Sequence, residues 1–155
     1  MIKKRIYIDM DGVLCDFIGA FEKESSEIKY QYENNKDDVP GMFRNMKPIP
    51  DAIKSYNRLS NDFDVFILSS APWNNPSAWS DKLLWVKEHL GSSVTKKLIL
   101  SHRKDLNSGD FLIDDRPNNG AEHFKGEWLH FGPNGKYQNW NSIMNFFYND
   151  QVDSK

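Results

Sequence analysis

The chain has 155 residues, of which 39% are hydrophobic and 14% aromatic, and this is the size of one domain with a substantial core. Its 20 basic and 22 acidic residues give a net charge of −2, which excludes holding a nucleic-acid polymer by bulk electrostatics but leaves small nucleotides open. The chain has a single cysteine, Cys15, and no apolar run near the roughly 18 residues of a membrane span. These two features predict a cytoplasmic protein without membrane contact.

In the first part of the chain, one strand is followed by helical segments. Residues 5–9 predict a short buried strand, because an apolar run with an aromatic residue ends in acid. Helical spacing follows over 16–28, and the charge-rich stretch 23–39 predicts a small excursion. Two prolines end this excursion, and helical spacing resumes over 51–59.

The second part alternates strands and helices. Residues 64–69 are a continuous apolar run, typical of a strand covered on both faces, and 77–90 have helical spacing up to a glycine stop. Further strands are predicted at 97–100, 111–113 and 128–131, and further helices at 117–124 and 141–148. This alternation predicts one α/β domain over 1–155, a three-layer Rossmann-like fold with a mostly parallel central sheet.

Polar residues follow three of the predicted strands. Asp9, Ser69 and Asp114 each stand at a strand end, and ligand sites in open α/β sheets form outside these carboxyl ends. Asp11 and Asp115 bring the acidic residues expected there to four, a cluster that needs protons or a cation. Oxygen ligands with no nearby histidine or cysteine favour Mg²⁺, and bound Mg²⁺ suits phosphoryl chemistry.

Each piece of this constellation also has an ordinary structural interpretation. An Asp-x-Asp-Gly stretch is usually a turn, and paired aspartates before Arg116 and Pro117 are typical of a helix cap. Ser69 and Ser70 alone would be a loop start, and Lys104 alone a solvated lysine. The occurrence of all of them in this order, beside apolar strands, is what favours a site.

Four motifs resemble those of the haloacid dehalogenase-like phosphatases. They are the stretches 9–14 (Asp-Met-Asp-Gly-Val-Leu), 66–70 (Phe-Ile-Leu-Ser-Ser), Lys104 and 113–117 (Ile-Asp-Asp-Arg-Pro). Within that superfamily the flanking residues resemble the pyrimidine 5′(3′)-deoxyribonucleotidases: Asp16 and Phe17, Pro72, and 120–122 (Gly-Ala-Glu). The resemblance implies a small helical cap inserted after the first strand, at about 18–47.

The resemblance also implies a role for each matching residue. Asp9 would be the nucleophile that forms an aspartyl-phosphate, and Asp11 the general acid and then the base. Mg²⁺ would be held by Asp9, the backbone carbonyl of Asp11 and Asp114, with Asp115 in or near the layer of residues that surrounds these ligands. The phosphoryl group would be bound by Ser69, Ser70 and Lys104.

Substrate choice is where this sequence departs from the family. The family sandwiches a base between aromatic side chains, and Phe17 matches one such position. Residues 17–47 form a shorter stretch than the family's cap and contain no counterpart of its paired aromatic lid residues. The aromatic residues that could substitute are Tyr30, Tyr32, Phe43 and Trp73; we single out Trp73 for substrate binding because it closely follows Ser70.

The expected function is a Mg²⁺-dependent phosphomonoesterase that acts on a deoxyribonucleoside monophosphate. Two alternatives stay open: a phosphatase of the same superfamily for a sugar or other metabolite phosphate, which the short cap favours, and a non-catalytic module that binds phosphate or Mg²⁺. A small cap can rely on a second subunit to close its site, so a homodimer also stays open.

Overall fold

Five parallel strands form the central sheet of the structure, a computed structural model that describes residues 2–149. The sheet order is β3-β2-β1-β4-β5, and every pairing is parallel. The strands are Arg5–Ile8 (β1), Asp64–Ser69 (β2), Leu98–Leu100 (β3), Phe111–Asp114 (β4) and Glu127–His130 (β5). The predicted α/β fold is therefore confirmed, and each strand lies within a residue or so of its predicted position.

Five α-helices accompany the sheet. They are Phe17–Glu22 (α1), Ser26–Gln31 (α2), Ala52–Asp62 (α3), Pro76–Leu90 (α4) and Trp140–Tyr148 (α5). Short 3₁₀ turns lie at Lys36–Asp38, Met42–Asn45, Gly91–Val94, Lys104–Leu106 and Ala121–His123. No helix within residues 2–149 is long and apolar enough to cross a membrane.

Two of the helix predictions were wrong in detail. The predicted helix over 16–28 is two helices, because it contains two N-caps: the Asp16 side chain accepts from the Gly19 amide, and the Ser25 side chain accepts from the Ile28 amide. The predicted helix over 117–124 is only a 3₁₀ turn at Ala121–His123.

The two faces of the sheet are covered unequally. On one face, strand residues such as Ile6 and Ile67 pack in the main core with residues of α3, α4 and α5, among them Tyr56, Trp85 and Ile143. On the other face, a smaller cluster around Tyr7, Leu68 and Leu112 is covered by Ala121 and Phe124. The central strands β1 and β4 are almost fully buried, which holds their carboxyl ends in fixed positions.

Residues 18–47, which we call the insertion, leave the fold after β1 and return before α3. The two ends are joined by main-chain hydrogen bonds, from the Asp16 amide to the Lys47 carbonyl and from the Ile49 amide to the Leu14 carbonyl, both 2.8 Å. Phe43 of the insertion belongs to the main core. The insertion is thus packed against the domain over part of its length.

Candidate active site

Three carboxylates meet at the carboxyl end of the sheet. Ile8 pairs in register with Ile113, so the residues that follow, Asp9 and Asp114, lie at the same level on neighbouring strands. Oxygen atoms of Asp9, Asp114 and Asp115 all lie within 4.8 Å of one another. Three of the four acids that were expected to converge at this edge therefore lie together.

Lys104 is the cation that faces this cluster. Its Nζ lies 3.0 Å from Asp9 Oδ1 and 2.5 Å from Asp114 Oδ2, and the side chain is almost completely buried. Burial by itself would lower the pKa of Lys104, but the charges of Asp9 and Asp114 raise it well above its usual value. Lys104 is therefore charged at neutral pH, as expected of a group that neutralises an anion.

One lysine does not balance the carboxylates. Burial and the nearby charge of Asp9 raise the pKa of Asp115 to about 6, and the same two causes raise the pKa of Asp114. The contacts of Asp114 with Lys104 and with the Arg116 amide oppose this rise. The cluster thus has an excess of negative charge of the kind that a divalent cation offsets.

Asp114, the last residue of β4, and Asp115, which follows it, differ in what their side-chain oxygens contact. Asp114 uses both, because Oδ2 accepts from Lys104 and Oδ1 accepts from the Arg116 amide at 3.1 Å. Asp115 Oδ1 is buried and has no hydrogen-bond partner among residues 2–149. Within the described residues, Asp115 is therefore the member of this aspartate pair that has a buried oxygen without a hydrogen bond.

Gly12 makes room for Asp115. A Cβ atom at Gly12 would lie 2.2 Å from Asp115 Oδ2, and the φ angle of +77° also disfavours any other residue there. The glycine of the first motif therefore lets the loop after β1 approach the carboxylate cluster closely.

Asp11 is separate from the three clustered carboxylates and has its own cation. Lys82 of α4 donates from Nζ to Asp11 Oδ2 and to Ser69 Oγ, both at 2.8 Å. Burial raises the pKa of Asp11, while the charge of Lys82 lowers it. The other oxygen of Asp11, Oδ1, is buried and has no hydrogen-bond partner within the described part of the chain.

Lys82 was not found by sequence reasoning. Lys82 is completely buried, whereas the apolar residue next to it, Leu83, is 43% exposed. Ala78 and Val86, four residues away on each side, are buried as well, so Lys82 lies on the inner face of α4. The available signal was a lysine at helical spacing between two small apolar residues, which is uncommon unless the charge is paired.

The two serines predicted to bind phosphate occupy different places. Ser69 is completely buried behind the site and contacts Lys82. Ser70 lines a small cleft at the carboxylates and donates from Oγ to the Ser101 carbonyl at 2.8 Å. The other residues that line this cleft include Asp9, Asp11, Lys104, Arg116 and Asn119.

A larger cavity of about 970 Å³ lies next to this cleft, and both share Asp11 and Ser70. Phe17 and Trp73, the two predicted substrate-binding residues, both line it. Phe17 packs against Phe43, with ring centroids 5.9 Å apart, while Trp73 is 80% exposed. Of the suggested aromatic substitutes, only Trp73 lines this cavity within residues 2–149.

Trp73 rests on an aromatic neighbour. The His102 ring lies 6.0 Å from Trp73 and 5.7 Å from Trp79, and His102 Nε2 donates to the Ala71 carbonyl at 2.8 Å. Trp79 Nε1 donates to the Pro72 carbonyl at 3.0 Å. These contacts hold the loop after β2 and present the Trp73 ring to solvent at the cavity.

The parallel sheet with acids at its carboxyl end is the fold found in the haloacid dehalogenase-like hydrolases. The magnesium-bound HAD-hydrolase YfnB of Bacillus subtilis superposes with a TM-score of 0.65 at 11% identity, over 94% of this chain and 99% of that one. A haloacid dehalogenase-like protein of Streptococcus pneumoniae, SP0104, has a TM-score of 0.55 at 13% identity, over 93% and 90% of the two chains. These likenesses show the fold alone.

Sequence comparison defines the family within this class. The model of the family described as 5′ nucleotidase, deoxy (pyrimidine), cytosolic type C protein matches residues 22–140. A protein of Vibrio phage KVP40, provisionally named a 5′(3′)-deoxyribonucleotidase, is 48% identical over 144 residues, which cover 93% of this chain and 84% of the relative. The human cytosolic-type 5′(3′)-deoxyribonucleotidase is 30% identical over 156 residues, covering 81% and 77% of the two chains.

The chain therefore belongs to this nucleotidase family and is a phosphoric monoester hydrolase. The resemblance identified from the four motifs is confirmed at the level of the family. The roles of individual residues stay predictions.

Proposed function

We propose that this protein hydrolyses deoxyribonucleoside monophosphates to nucleoside and phosphate through a phosphorylated Asp9. The observation that carries the proposal is the placement of Asp9 against Lys104 on one side and near the Lys82-bound Asp11 on the other. A binding module would need the cation and the metal carboxylates, but it would have no use for a second, separately held carboxyl group such as Asp11.

In the first step, an Asp9 oxygen attacks phosphorus and the bond to the leaving oxygen breaks. Lys104 holds Asp9 Oδ1 and offsets the charge that the carboxylate and the phosphoryl group bring together. The departing alkoxide takes a proton from Asp11, which becomes a carboxylate. The product of this step is the free nucleoside and a phosphorylated Asp9.

In the second step, Asp11 takes a proton from a water molecule that attacks the phosphorylated Asp9. Phosphate leaves, and Asp9 and Asp11 return to their starting states. Burial favours the protonated form of Asp11 and Lys82 favours the carboxylate, so the two opposing influences suit a group that must hold and release a proton. Because Lys82 contacts only Oδ2, Oδ1 is left for the proton.

The donor set fits Mg²⁺, which takes oxygen ligands and tolerates one or two carboxylates. Asp9 and Asp115 would hold it with their side chains, and the family resemblance adds the backbone carbonyl of Asp11 and Asp114. The unpartnered Asp115 Oδ1 supports this assignment. When bound, the ion offsets the negative charge shared by the carboxylates and the phosphoryl group.

The nucleoside would occupy the larger cavity, with Phe17 and Trp73 against the base. Trp73 is 80% exposed, so much of the apolar surface of its indole ring is in contact with water. A flat base stacked on the ring would cover that surface. In this proposal the insertion acts as the small cap. The human relative, of cytosolic type, and the single buried cysteine support a cytoplasmic location.

The test is phosphate release from a panel of deoxyribonucleotides, ribonucleotides and sugar phosphates, with Mg²⁺ and with a chelator. We expect a deoxyribonucleoside monophosphate to have the highest kcat/KM and the chelator to abolish turnover. A sugar phosphate preferred over every nucleotide would overturn the substrate assignment. If the protein binds phosphate but hydrolyses no ester, the interpretation as a binding module would replace the interpretation as an enzyme.

A further inference from the structure

A buried asparagine ties the insertion to the loop that carries Trp73. Asn75, which is 2% exposed, donates from Nδ2 to the backbone carbonyls of Asp37 and Val39, each at 3.0 Å. Its Oδ1 accepts from Ser77 Oγ at 2.7 Å, and the same Ser77 oxygen accepts from the Gly41 amide at 3.0 Å. We call Asn75 and Ser77 the clasp.

The clasp is not explained by the local structure of α4. Asn75 is the N-cap residue of that helix, a position where an asparagine side chain usually accepts from an amide of the first turn. Here the side chain makes no such capping bond. Both N–H groups of the Asn75 amide instead reach across 36 and 38 residues of sequence to the insertion.

The clasp joins two walls of the large cavity. Pro72 and Trp73, just before Asn75, line one wall, and Lys36 and Asp37 of the insertion line another. The base of the insertion is fixed separately, by the Asp16 to Lys47 hydrogen bond. The clasp therefore holds the part of the insertion that lines the cavity, at Asp37, to the loop of Trp73, and so constrains the width of the cavity.

We infer that Asn75, supported by Ser77, is a positioning residue that determines specificity for the nucleoside part of the substrate. This inference rests on the proposed function. Walls held at a fixed distance lose little freedom when a ligand enters, and a substrate that fills the cavity gains binding energy from them. A small ester that reaches only the cleft of Asp9 and Lys104 has no contact with these walls.

The experiment compares two substrates in the wild-type protein and in Asn75→Ala. The substrates are the best deoxyribonucleoside monophosphate and glycerol 2-phosphate, which has no base. We expect KM for the nucleotide to rise about 10-fold, the effect of about 1.4 kcal/mol of lost binding, with kcat within about twofold. For glycerol 2-phosphate, kcat/KM should stay within about twofold.

Two further variants test the role of the clasp. Asn74→Ala removes the neighbouring exposed asparagine and should leave both substrates unchanged. Ser77→Ala keeps the Asn75 bonds to the insertion, and its smaller rise in nucleotide KM would report on the clasp even if Asn75→Ala does not fold.

A uniform loss of activity with both substrates, or an unchanged nucleotide KM in folded Asn75→Ala and Ser77→Ala, would overturn the inference while the proposed function stands. A wild-type protein that hydrolyses glycerol 2-phosphate and no nucleotide would overturn both.

Discussion

Replacement of Lys82 by methionine tests how the structure controls Asp11. Methionine is similar in length and suits a buried helix face, but it cannot donate to Asp11 Oδ2 or Ser69 Oγ. Asp11 then loses the group that orients it, and Ser69 loses its contact from below the cleft. The variant therefore separates positioning of the general acid from its presence.

The contacts set the size of the expected effect. Hydrogen bonds to charged groups contribute about 1.5–3 kcal/mol each, and loss of one partner of a buried ion pair costs about 3–5 kcal/mol. Because Asp11 can take a proton and methionine removes a buried charge, we expect a loss near the lower end, about 3 kcal/mol of unfolding free energy. A positioned general acid contributes about 10²–10⁴-fold to rate, so kcat should fall about 100-fold.

The pH profile distinguishes this role from a purely structural one. The charge of Lys82 lowers the pKa of Asp11, so its removal lets burial raise that pKa further. Hydrolysis of the phosphorylated Asp9 needs ionised Asp11, and the rising limb of the kcat profile should therefore move to higher pH. Steady-state kinetics from acid to alkaline pH, with urea denaturation for stability, measure both effects.

The matched control for this variant is Lys87→Met, which removes an exposed lysine of the same helix and should change neither kcat nor the profile. A folded Lys82→Met protein with kcat within about threefold of wild type and an unshifted profile would refute the reasoning.

Three other predictions concern carboxylates of the chain. Asp9→Asn should lower kcat at least about 10³-fold with its circular dichroism melting curve retained, and near-normal turnover would exclude the covalent route. Asp115→Asn should raise the Mg²⁺ concentration for half-maximal activity about 10-fold or more, and an unchanged Mg²⁺ titration would remove Asp115 from the ligand set. For Asp64, burial would raise the pKa, but hydrogen bonds from Arg5 and Lys97 lower it from its usual value, so its stabilising contribution is present at neutral pH and lost as pH falls through the acid range. The difference in unfolding free energy between wild type and Asp64→Asn should accordingly shrink as pH falls below about 4, the usual pKa of an aspartate, and a constant difference would contradict it.

Local patterns were enough to predict the sheet and the acids at its edge. Each strand is a short apolar run, and parallel pairing in register places residues after Ile8 and Ile113 at the same level. Such runs can be recognised from consecutive residues in the sequence, which is why the strand positions agree closely with the prediction. The break between α1 and α2 was also encoded locally, in the caps Asp16 and Ser25, but the continuous apolar spacing concealed it.

The sequence by itself determined the fold class, the family and the placement of Asp9, Asp11, Lys104 and the aspartate pair at one edge of the sheet. The tertiary structure alone decided which side chains meet there. Lys82 reaches Asp11 across 71 residues of sequence, and Asn75 reaches the insertion across 38. It also decided that Lys104 and the Arg116 amide each donate to one Asp114 oxygen, while Asp115 Oδ1 has no hydrogen-bond partner within residues 2–149. Such pairings depend on how elements distant in sequence pack together, and on the need of each buried polar group for a hydrogen-bond partner. The local spacing of residues along the chain does not indicate either of these.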